Sequence, residues 1–166
     1  AVALAQAVLS LEEMGMEALA RHEAELTAHA LRRLRAIEGV DLYGLDDPDR
    51  AGERVGVIPF NLRGVDHYKV AAVLSCEGGI AVRNGCFCAH PYILRLLKVP
   101  GDTALRHQQE IAAGTRSHLP GLVRVSFGCY NTAAEVDHLA GLLARLVAGD
   151  LLGDYEQDPQ SGAYWP

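Results

Sequence analysis

The sequence predicts a two-layer α/β (α+β) sandwich, a small and mainly antiparallel sheet covered by helices. Three observations lead there. Long amphipathic runs with helical spacing alternate with short apolar segments of strand length. The three or four strands do not recur in the long strand–helix–strand repeats that build a parallel sheet. With 166 residues and 49% hydrophobic composition, the chain can bury one core, with room for a tail.

Residues 4–37 read as helix, with Leu19, Leu26, Ala30, Leu34 and Ile37 at helical spacing. Gly15 interrupts the run, leaving either two helices or one kinked helix. The chain opens inside this pattern without a methionine, which is read as a fragment boundary. Gly39 stops the helix, 40–43 follow as a short strand, and DDPDRAGE is a turn. RVGVIPFNL (54–62) is the clearest strand, although Pro59 counts against a fully paired central position. Asp66 caps a helix running to about Cys76. A glycine turn then leads to a strand at 80–82, the loop 83–90, and a helix with Pro91 in its first turn. Residues 99–120 form a long surface excursion with a short helix near 103–111. Residues 122–127 are a strand, and 133–147 an amphipathic helix capped by Thr132, with Glu135 at the capping-box position. The unit therefore spans 1–149, and 150–166 is a tail without periodicity, read as an extended arm.

Fifteen basic against 21 acidic residues, mixed along the chain, give a net charge of −6. That balance excludes a nucleic-acid footprint and fits cytoplasmic solubility. No apolar run is long enough to span a bilayer. Of the four cysteines, Cys76 and Cys129 are isolated, whereas Cys86 and Cys88 share a loop. Reduced thiols are expected, since the core needs no staples.

The chemistry concentrates in GIAVRNGCFCAHP (79–91). Arg83 ends an apolar segment, where a guanidinium is placed to grip a carboxylate. Arg124 sits inside the apolar strand LVRVSF, where a charge is costly unless paired. Each alone reads as a structural ion pair; two arginines around a thiol loop point to an anionic substrate. Cys88 precedes a helix N-terminus, which favours thiolate over thiol and makes it the candidate nucleophile. Cys86 is a secondary thiol, resolving or incidental. A C-x-C-x-H metal site with His90 lacks the second ligand pair that zinc sites use, so no metal is expected. A Cys86–Cys88 disulfide would close a strained ring.

This loop resembles the nucleophile loop of cysteine desulfurases and selenocysteine lyases, in the class V aminotransferase superfamily of pyridoxal-phosphate enzymes. The resemblance extends over EEMGMEALARHEAELTAHALRRL, RVGVIPFNL and VRVSFGCYNTAAEVDHL. It implies the C-terminal small domain of a fold-type I enzyme, with a homodimeric parent. It further implies that Cys88 forms a persulfide, that Arg83 lines the substrate site, and that Arg124 clamps the α-carboxylate of L-cysteine. Alanine leaves, and the sulfur passes to an acceptor. The family's cofactor lysine belongs to a large domain that precedes these residues. Lys69 and Lys98 match no such position, so pyridoxal phosphate is expected in the full-length parent and not on this chain alone.

The sequence also departs from the pattern. Where related loops often carry His-His, this one has Cys86-Phe87, and its R-x-G-C-F-C form is closer to the sulfurase domain of molybdenum-cofactor sulfurases. The excursion at 99–120 is longer than in compact desulfurases, and could cover the site or dock an acceptor. Two other readings stand beside the first: a class V aminotransferase or epimerase with incidental cysteines, and a non-catalytic sulfur-relay or partner-binding module.

Overall fold

The computed structural model describes all 166 residues, Ala1–Pro166. Gly15 resolves the N-terminal helical run into two helices, α1 (Val2–Met14) and α2 (Met16–Arg35), because its φ of 85° is a conformation side chains resist. The two differ in burial. α2 buries Leu26, Ala30, Leu31 and Leu34, whereas α1 buries nothing and leaves Val2, Leu4, Val8 and Leu9 exposed.

After β1 (Val40–Leu42), the DDPDRAGE segment forms a 3-10 turn, Pro48–Glu53, started by the Asp47 carboxylate accepting from the Asp49 N–H. β2 (Val57–Leu62) leads to α3 (His67–Gly78), whose first turn is capped by Asp66 accepting from the Tyr68 N–H at 2.7 Å. β3 (Arg83–Gly85), α4 (His90–Leu96), α5 (Gly101–Ala112), β4 (Leu122–Ser126) and α6 (Ala133–Ala148) complete the unit. The capping box of α6 forms as its sequence predicts, with Thr132 and Glu135 bonded reciprocally.

The sheet order is β1-β2-β4-β3, antiparallel throughout. Ile58, Phe60, Leu62, Val123 and Val125 alternate onto one face and join α2, α3 and α6 in a core of 17 buried residues. α2, α3 and α6 cover that face, which gives the two-layer sandwich. The opposite face carries Pro59, Asn61, Arg83 and Arg124.

Four expectations are corrected. The strand expected at 80–82 lies at Arg83–Gly85, one step later. Ile80 and Val82 do pack on the core, but Gly79 turns the chain at φ 62°, and the hydrogen-bonding edge opposite β4 falls on the next three residues. Apolarity there marks burial rather than pairing. Arg83 is accordingly a strand residue, not the first of the loop. Pro59 occupies a central strand. Its carbonyl accepts from the Tyr43 N–H, so its peptide edge faces β1 where that short strand has ended and no donor is missed. The tail is no extended arm: it folds back as a hairpin of β5 (Glu156–Gln157) and β6 (Tyr164–Trp165). No helix is long and apolar enough to cross a membrane.

Candidate active site

The β3–β4 ladder sets Arg83 directly opposite Arg124, two cations on the face of the sheet opposite the core. Like charges in that position repel, and each side chain would normally be expected to find a carboxylate. Neither does: no ion pair in the structure involves Arg83 or Arg124. Arg83 is exposed, whereas the Nε of Arg124 is buried without a hydrogen-bond partner. A buried unpartnered guanidinium nitrogen costs stability until an acceptor reaches it.

Phe87 connects this pair to the loop. Its ring lies 5.1 Å from the Arg124 guanidinium carbon, a cation–π contact that holds the arginine without satisfying its donors. Phe87 and Cys88 both adopt left-handed backbone, with φ of 52° and 62°. For residues with a side chain this costs on the order of 1–2 kcal/mol each. The loop is closed by the Ala89 N–H donating to the Cys86 carbonyl at 2.8 Å, and it leaves the Cys88 side chain exposed. The candidate nucleophile thus sits one residue from the ring that braces Arg124.

Cys86 points the other way. It is half-buried, its thiol donates to the Pro120 carbonyl at 3.2 Å, and burial pushes its pKa up. That is the environment of a protonated, packed thiol. All four cysteines are free, and no three His, Cys, Asp or Glu side chains converge as a metal site would need.

Composition and spacing gave no sign of the support beneath the loop. The chain preceding β4 presents three consecutive carbonyls. Leu119 accepts from His67 Nε2 at 2.9 Å, Pro120 accepts from Cys86, and Gly121 accepts from Asn61 Nδ2 at 3.1 Å. His67 Nδ1 accepts in turn from Asn84 at 3.2 Å, inside β3. Burial first lowers the His67 pKa, against smaller opposing effects of the Leu119 carbonyl and Asp66, and the two hydrogen bonds fix the neutral Nε2–H form. Gly121 admits this crowding only because it lacks a side chain: a Cβ would stand 2.5 Å from His67 Nε2 and 2.7 Å from the Gly85 Cα. The only hint in the sequence was Asn84-Gly85, and a turn accounts for that dipeptide equally well.

A sequence model of the aminotransferase class-V family matches residues 1–139. The chain belongs to that family. Among its relatives, this class-V chain is 38% identical over 145 residues to a probable cysteine desulfurase of Staphylococcus aureus (strain COL). It is 35% identical over 145 residues to a probable cysteine desulfurase of Staphylococcus epidermidis. Both alignments cover 87% of this chain and 29% of the relative. Its fold matches an apo cysteine desulfurase of Thermococcus onnurineus NA1 with a TM-score of 0.66 and 28% identity, over 86% of this chain and 29% of that one. The chain thus spans just under a third of the length of the proteins it resembles.

Of the chain's two lysines, Lys69 lies in α3, which packs against the core face of the sheet, away from Arg83 and Arg124, and Lys98 is exposed beyond the end of α4.

Proposed function

We propose that this chain is the substrate-gripping and sulfur-accepting part of a pyridoxal-phosphate-dependent cysteine desulfurase. The observation that carries the reading is the unpaired Arg83–Arg124 couple beside a strained, exposed Cys88. A couple of this kind is unfavourable in the free protein and becomes favourable when an anion bridges it. Arg124, braced by Phe87, takes the α-carboxylate of L-cysteine through its buried Nε edge, and Arg83 adds positive potential from the neighbouring strand. Bound pyridoxal phosphate supplies the electron sink that lets the Cβ–Sγ bond break. The Cys88 thiolate attacks the substrate sulfur; the bonding pair stays with the substrate carbon, which is protonated, and alanine leaves. Cys88 then carries the persulfide, which an acceptor thiol removes to restore it. Cys86, packed and protonated, takes no part.

The cofactor lysine lies on a larger domain of the same polypeptide. The uncovered apolar side chains of α1 support this, since Val2, Leu4 and Leu9 offer that domain a docking surface. The whole enzyme works in the cytoplasm as a homodimer and hands its sulfur to an acceptor protein.

Incubating the full-length protein with L-cysteine and measuring alanine and sulfide tests the reading. Alanine production that stops in Cys88→Ser and persists in Cys86→Ser is the expected result. Undiminished production in Cys88→Ser would refute the persulfide step and favour a class V aminotransferase or epimerase with incidental cysteines.

A further inference from the structure

The C-terminal tail lies beyond residue 139, where the class-V match ends. Yet it is fastened at two places. At its root, Glu77 of α3, with a side chain only 4% exposed, accepts from the Leu152 N–H at 2.9 Å and from the Tyr155 hydroxyl at 3.3 Å. Arg145 pairs with Glu77 at 3.2 Å and with Asp150 at 3.0 Å, closing the anchor. At its tip, the hairpin grips the end of the excursion. The Arg116 N–H donates to the Pro159 carbonyl at 2.9 Å, and Gln157 Nε2 donates to the carbonyls of Ser117 at 2.8 Å and Gly162 at 3.1 Å. Gly162, at φ 77°, lies so close that a Cβ would stand 2.6 Å from the Arg116 carbonyl oxygen and 3.0 Å from the Tyr68 ring.

The gripped segment is the one that holds the sulfur loop. Two residues after Ser117 come the three carbonyls that bind His67, Cys86 and Asn61. A continuous chain of contacts therefore runs from Gln157 and Gly162 through Ser117 and Pro120 to Cys86, and along the backbone to Cys88. Without the hairpin, the exit of the excursion into β4 would rest on those three carbonyl bonds alone. Its helix α5 gives no help, since it buries none of its own residues.

We propose that the C-terminal hairpin is a strap that fixes the Cys86–Cys88 loop, with Gln157 and Gly162 as positioning residues for the sulfur-accepting thiol. This rests on the desulfurase reading for its kinetic consequence, though not for its effect on the thiols. Arg124 belongs to β4, where the ladders with β2 and β3 hold its backbone, so loosening the strap should slow sulfur transfer far more than it weakens the carboxylate grip, which loses only the Phe87 brace.

Gln157→Ala removes both side-chain bonds, and Gly162→Ala forces the hairpin off Arg116. Gly153→Ala is the control, because its Cβ meets only Pro166 at an ordinary 3.6 Å. Alkylation of each cysteine, followed by peptide mass mapping in the full-length holoenzyme, gives a readout independent of turnover. Cys86 labelling should rise about tenfold in both strap variants, with Cys129 labelling unchanged and the unfolding midpoint lowered by no more than a few degrees. In the same variants kcat should fall about tenfold with KM for L-cysteine within about twofold. Gly153→Ala should behave as wild type. Unchanged Cys86 labelling, or a fall in kcat matched by an equal loss across all thiols and in stability, would overturn the strap. Wild-type enzyme that labels as expected yet yields no alanine would instead overturn the desulfurase reading and leave the strap standing.

Discussion

Arg83 and Arg124 face each other across the β3–β4 ladder without an acidic partner between them. The arrangement spends stability to hold positive charge at one spot on the sheet face opposite the core. Arg124→Met should therefore raise the unfolding midpoint of the ligand-free protein by a few degrees, corresponding to about 1 kcal/mol. The same change should lower kcat/KM for L-cysteine roughly thirtyfold, about 2 kcal/mol of charged hydrogen bonding. Calorimetry beside steady-state kinetics checks both. A midpoint that drops would show the guanidinium to be a structural member of the fold.

The two loop thiols should be distinguishable chemically. After exposure to L-cysteine, mass mapping of the full-length enzyme should find one added sulfur on the peptide carrying Cys88, and none once Cys88→Ser is made. Cys86→Ser should retain the adduct, because its thiol donates to Pro120 and burial disfavours its ionisation. An adduct that follows Cys86 would reverse the assignment.

Acid should act on this site through His67. Burial lowers its pKa below the ordinary 6.5, so near that pH the folded chain binds fewer protons than the unfolded one. Its contribution to stability is present above pH 6.5 and is lost as pH falls through the depressed folded value. Denaturant unfolding followed from neutral pH into mild acid should show this decline, and His67→Gln should flatten it. The affected carboxylates, Glu53, Glu135 and Asp158, have lowered values and titrate further into acid.

At the alkaline end the tail anchor responds. Burial, then the Glu77 carboxylate, push Tyr155 up to about 12. The unfolded chain loses this proton near the ordinary 10.0, so the stabilisation is complete below that pH and disappears as pH climbs to about 12. Tyr155→Phe should unfold with a shallower pH dependence over this range, measured against wild type because Tyr43, Tyr68 and Tyr164 are also raised. Equal slopes would show the phenol to be free of the Glu77 anchor.

Much of this architecture is legible in the sequence because local rules decide it. Thr132 and Glu135 announce α6, Asp66 announces α3, and alternation in LVRVS assigns its faces. What escapes is what only distant contacts decide. The edge at Arg83–Gly85 is chosen by register with β4, against the apolar signal at Ile80 and Val82. Pro59 enters a central strand because β1 happens to stop at Leu42. The candidate site's members, Arg83, Arg124 and Cys88, are readable as residue types in a suggestive order, and the structure adds the Arg83–Arg124 register. Their supports, Phe87, His67, Asn84 and the carbonyls of 119–121, are not readable, because backbone acceptors carry no sequence signature.

The paired left-handed residues Phe87 and Cys88 have a consequence for anyone engineering this protein. A campaign guided by thermal stability alone would select glycine or asparagine at both positions, relieving on the order of 1–2 kcal/mol at each. The hardened variant would melt higher and would have lost both the brace under Arg124 and the thiol. Under the proposed function, selection for robustness and selection for sulfur chemistry pull in opposite directions at these two adjacent residues.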